Sequence, residues 1–76
     1  PYILYIVQNN KTPEINKVFS FLENMAMCED VKVKEVLDFT ILEQLADEGQ
    51  DTLKQCKQYM EKNTLKHCEK VEQYFL

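Results

Sequence analysis

One glycine and two prolines in 76 residues leave this chain very few places to turn. All-β folds need turn residues every ~8–12 positions, and Gly49, Pro1 and Pro13 cannot supply them. Leu, Glu, Lys and Gln are abundant instead, and they favour helix. The expected fold is all-α: a small antiparallel bundle of about four helices with short links. The whole of 1–76 reads as a single helical domain. A domain of this size hides roughly 60% of its unfolded surface, so its stability is expected to be modest. The 45% hydrophobic content argues against long disorder. The first residue is Pro1 rather than Met, which is read as processing or, in preference, as a fragment whose native N-terminal part is missing.

An internal echo strengthens the helical reading. Phe19-Ser-Phe-Leu-Glu-Asn-Met-Ala26 returns twenty positions later as Phe39-Thr-Ile-Leu-Glu-Gln-Leu-Ala46, with four positions identical. Both copies place apolar residues at helical spacing, so two helices should bury matching faces in one core. Phe19, Leu22, Phe39, Leu42, Leu45, Leu53, Cys56, Cys68 and Val71 are the expected core.

Punctuation along the chain sets the expected boundaries. Pro1–Val7 is apolar but too short to cross a bilayer, and reads as a truncated first helix. Thr12 as N-cap with Pro13 in the first helical position and Glu14 behind it starts a helix over Thr12–Met27. Asp30 can cap a second, central helix over Asp30–Asp47. Val31-Lys-Val-Lys34 alternates like a strand, but it leads into a long helical-period run. Gly49 fits a left-handed stop. Two further helices are expected over Asp51–Glu61 and Thr64–Tyr74, with Asn63 or Thr64 as punctuation. Leu65, Cys68, Val71 and Phe75 should be the buried stripe of the last one.

Charge narrows the partners. The net charge is −4 and there is no Arg, the residue best suited to bidentate phosphate and base contacts. Nucleic-acid binding is not expected, and no segment has membrane length. Between Glu35 and Asp51 lie six acidic residues and no Lys, whereas after Asp51 five Lys outnumber three Glu. Cys28, Cys56 and Cys68 are an odd set without close spacing, which points to free, mostly buried thiols in a reducing cytoplasm rather than a disulfide framework.

Groups able to do chemistry are sparse. His67, the only histidine, adjoins Cys68, but neighbours on a helix point ~100° apart, and structural zinc wants four ligands in paired short spacings. Neither catalysis nor a metal or other cofactor is expected. Asp38 falls inside the apolar arc of the central helix and is read as an acid reaching solvent or a Lys. Glu23 and Glu43 hold equivalent places in the echo and are read as solvated flanks, because a di-metal bundle would also need Glu-x-x-His partners. Tyr2, Tyr5, Tyr59 and Tyr74 are expected half-buried with wet hydroxyls.

Three segments together resemble an uncharacterised family of short bacterial all-helical proteins. They are Val18-Phe-Ser-Phe-Leu-Glu-Asn-Met25, Val36-Leu-Asp-Phe-Thr-Ile-Leu-Glu-Gln-Leu45 and Thr64-Leu-Lys-His-Cys-Glu-Lys-Val-Glu-Gln-Tyr-Phe75. The resemblance covers most of the chain and rests on packing motifs. The family pattern has a Gly-Pro-like break before the last helix where this chain has Asn63-Thr64. It implies a stand-alone cytosolic protein, similar in style to immunity proteins of bacterial competition systems, and brings no functional site with it.

Two functional readings follow. The first is a non-enzymatic protein-binding module presenting Glu43, Asp47, Glu48 and Asp51 to a basic protein partner. Glu43 and Asp47, four apart, cost a few tenths of a kcal/mol as like charges on a helix, a cost without structural return. The second is a structural subunit that self-associates through Pro1–Val7.

Overall fold

A computed structural model describes residues 2–75 of the chain, with side chains through Tyr74. Every regular element in it is helical. The first helix, α1, is Tyr2–Gln8, and α2 is Thr12–Met27, with the expected bounds. The third, α3, covers 31–47 in three continuous stretches: α-helical Val31–Glu35, π-helical Val36–Leu42 and α-helical Glu43–Asp47. Then come α4, Gln50–Lys57, and α5, Lys62–Phe75. Both are displaced from the expected bounds, α4 ending earlier and α5 starting earlier. None of the described helices is long and apolar enough to cross a membrane.

Local chemistry explains most of the ends. Asp30 caps α3 as expected, its carboxylate accepting from Lys32 N–H at 2.9 Å. The cap of α2 is Lys11 rather than Thr12, and no side chain bonds to that end. Gly49 ends α3 with φ 109° and ψ 162°, a positive-φ conformation open essentially to glycine alone. It is more extended than the compact left-handed stop, and its carbonyl accepts from Leu53 N–H to start α4. Val31–Lys34 is helix, so the strand-like alternation there carried no weight.

The core gathers where α2, α3 and α5 meet. α2 packs on α5, α1 and the first two stretches of α3; α5 also meets the π-helical stretch and the end of α3; α1 lies on α2 and α4. Leu22, Leu37, Leu42, Leu45, Cys56 and Cys68 are at most 1% exposed. Phe19 is buried too, its ring 5.7 Å from that of Tyr59 at 43°.

Phe39 departs from the expected core: it is 60% exposed. The π-helical stretch is the reason. Its hydrogen bonds run five residues back, as from Glu43 N–H to Asp38 C=O, so each turn holds more residues than an α-turn. Counting back from the buried Leu42, an α-turn would bring Phe39 onto the inner face. The wider turn keeps Asp38 on the inner side, brings Leu37 there beside it and swings Phe39 outward. The echo with α2 therefore holds at Leu22 and Leu42 and at Met25 and Leu45, and fails at Phe19 and Phe39.

Candidate functional site

Three features merit comparison: two buried carboxylates and one exposed acidic face. Glu23 is one of the buried pair, only 8% exposed, which corrects its reading as a solvated flank. It faces the first turn of α5. Oε1 accepts from Thr64 N–H at 2.8 Å and from the Thr64 hydroxyl at 2.9 Å. Oε2 accepts from Asn63 N–H at 3.1 Å and from the Asn63 side-chain amide at 2.7 Å. A helix begins with unpaired N–H groups and a partial positive charge. Here the capping carboxylate arrives from α2 instead of from the residue before the helix. Burial alone pushes the Glu23 pKa up, but the hydrogen bonds from Thr64 and Asn63 outweigh it and hold the carboxyl below its ordinary value of 4.5.

Asp38 is the second, 3% exposed on the inner side of the π-helical stretch. It was expected to reach solvent or a Lys. It is shut away from solvent and does reach a Lys: Oδ2 accepts from Lys70 Nζ at 2.9 Å. Oδ1 lies 2.7 Å from His67 Nδ1, within hydrogen-bonding distance, and accepts from the ring in the tautomer that carries its proton on Nδ1. Charge-assisted bonds on both oxygens answer the cost of burying the acid. The arrangement orients the His67 imidazole. Cys68 is turned toward Glu72 at 3.9 Å, and the Thr64 hydroxyl is committed to Glu23. Every buried side-chain polar atom among the described residues has a partner, and no three metal-ligating side chains gather there.

The thiols are free. Cys56 and Cys68 are buried, and Cys28 is half-buried in the link after α2. Burial pushes the Cys56 and Cys68 thiols up to about 11, which keeps them protonated and unreactive at neutral pH. Lys57 pairs with Glu72 on the same side of the molecule.

The predicted site residues gather around the α3–α4 corner. Glu43 and Asp47 stand one turn apart in the last stretch of α3; Glu48 is in the link and Asp51 in the first turn of α4. Asp47, Glu48 and Asp51 are exposed and Glu43 is half-buried. No ion pair among the described residues includes any of the four. The N-terminal contact surface keeps only part of its promise. Leu4, Ile6 and Val7 are buried in the chain's own core, while Tyr2 and Tyr5 are exposed; Pro1 lies outside the described residues. Tyr2, Tyr5, Tyr59 and Tyr74, all expected half-buried, are exposed, Tyr74 most of the four at 75%. The Phe75 side chain, placed in the last stripe, is also outside the described residues.

Sequence reasoning singled out Asp38 and His67 separately but had no means of joining them across 29 residues. The usable signal was an acid in an apolar arc, with a His and a Lys three apart on another helix. Among known proteins, the family described as Domain of unknown function (DUF7674) matches residues 1–75. No curated protein and no solved structure matches.

Proposed function

Since the chain belongs to the DUF7674 family, a domain of unknown function, we propose its role from its own surface: it is a non-enzymatic protein-binding module that offers the acidic corner of Glu43, Asp47, Glu48 and Asp51 to a basic protein partner. One observation carries this reading. The two most buried carboxylates, Glu23 and Asp38, are each tied to named donors, and Glu72 is tied to Lys57. The four corner carboxylates have no cation among the described residues. Like charges left together on an exposed corner repel one another, and a basic partner removes that repulsion while being drawn in by the field. The resemblance in sequence style to immunity proteins agrees with such a role: a bacterial cytoplasmic inhibitor, its antiparallel helices joined by links of two to four residues, that covers the working surface of a toxin-like protein.

The test is kinetic. A partner isolated on the immobilised chain is mixed with the wild type and with Glu43→Lys/Asp47→Lys at low and moderate salt. Slower capture by the double variant, with a flatter salt dependence and unchanged helicity, supports electrostatic steering. Equal association rates would overturn it.

A further inference from the structure

The outward side of α3 is unlike the rest of the surface. Val31, Lys32, Glu35, Val36 and Phe39 are all exposed, at the three- and four-residue spacings that share one helical face. Val31 is 65% exposed and Phe39 60%, and the wide π-turn is what holds Phe39 there. Beside this face, α2 and α3 enclose a groove of about 440 Å³ lined by Phe21, Asn24, Met25, Cys28, Val33 and Val36. Phe21 at its edge is 61% exposed. Contiguous apolar surface of this kind marks an interface more often than a monomer's skin.

The order of the residues selects the occupant. Reversing the segment about the point midway between Val33 and Lys34 sets Val31 opposite Val36 and Lys32 opposite Glu35, and carries Phe39 past the second copy's Asp30 cap toward the link in which Cys28 edges the groove. An isologous dimer makes this same reversal: residue i meets j on the second copy, and j meets i. We propose that the outer face of α3 is a homodimer interface, in which two copies of α3 lie antiparallel. Lys32 pairs with the partner's Glu35, Val31 packs on the partner's Val36, and Phe39 enters the partner groove at its Cys28 end. Each contact occurs twice. The face carries one charge of each sign, so it is locally neutral although each chain has a net charge of −4. An unrelated apolar helix would gain nothing from the inverse order of Lys32 and Glu35; a second copy uses it twice. A standard interface takes roughly 800 Å² from each partner, about a sixth of the 5100 Å² this chain exposes. About two and a half turns of helix and one groove make a small interface, so the dimer is concentration-dependent.

Sedimentation velocity across a concentration series tests the pairing. The wild type should pass from monomer to dimer as concentration rises. Lys32→Glu and Glu35→Lys each set like charges face to face and should weaken association roughly tenfold or more. Mixing those two single variants should restore a dimer, because each supplies the charge that the other lacks. The double variant Lys32→Glu/Glu35→Lys should dimerise with itself. Both side chains are exposed, so circular dichroism should show the fold unchanged. A wild type that stays monomeric throughout overturns the proposal. So do single variants that dimerise normally, or a mixture that fails to recover. Glu48→Lys/Asp51→Lys, in the link and in α4, lies outside α3 and should leave dimerisation intact, which separates failure here from failure of the acidic-corner reading.

Discussion

Glu23 concentrates more of this chain's polar chemistry than any other side chain described. Four donors from two adjacent residues converge on its two oxygens. Hydrogen bonds to a charged group contribute about 1.5–3 kcal/mol each way the comparison is drawn, so Glu23→Gln should destabilise by about 2 kcal/mol in urea titration. Its acid limb should change as well. The folded carboxyl sits below its ordinary value of 4.5, so the clamp's stabilisation is complete above that pH and drains away as pH falls through the lower, folded value. The wild type should lose urea resistance on acidification below about pH 4.5, and Glu23→Gln should show a visibly shallower decline. Identical acid limbs would show that the clamp contributes nothing. The echo had suggested that Glu23 and Glu43 play one part. One is buried against a helix start and the other half-buried at an acidic corner, a difference of tertiary neighbours that no local pattern encodes.

At the scale of elements, α3 shows where reading the sequence succeeds and where it fails. Helix type, the Asp30 cap, the full extent of α2 and eight of the nine proposed core residues could be read from periodicity and punctuation. The exception, Phe39, failed because the reading assumed one constant turn. A π-helical stretch adds width without any signal in propensity, and it swings Phe39 outward while Asp38 stays on the inner side. Paired truncations check this. Leu42→Ala should cost about 2–5 kcal/mol, as core deletions do. Phe39→Ala, measured in dilute protein, should stay within about 0.5 kcal/mol of the wild type. A large loss for Phe39→Ala under those conditions would mean that its ring is an inner one. The acidic corner was legible as a charge run. The Asp38–His67–Lys70 node was not, because its members belong to two helices whose pairing only the packed structure reveals.

Across the whole molecule, helices make their backbone hydrogen bonds locally, while distant stretches of chain are joined by packing and by the side chains of Glu23 and Asp38. The Glu23 clamp spans 40 and 41 residues. Helical turns form within about a microsecond, whereas contacts distant in sequence must wait for the chain to close on itself. The first turn of α5 therefore has its N–H groups at Asn63 and Thr64 answered only after α2 has arrived. In time rather than in space, the clamp is expected to be a late event, a lock set on an assembly already in place. Glu23→Gln should then leave the refolding arm of a chevron nearly unmoved, with a φ-value of about 0–0.3, and express its loss as faster unfolding. Slower refolding to match the whole loss would place the clamp in the nucleus instead. A late lock governs how long the folded chain lasts more than how quickly it forms. On that order of events, the carboxylate on α2 should set the lifetime of a fold whose last helix begins some forty residues further on.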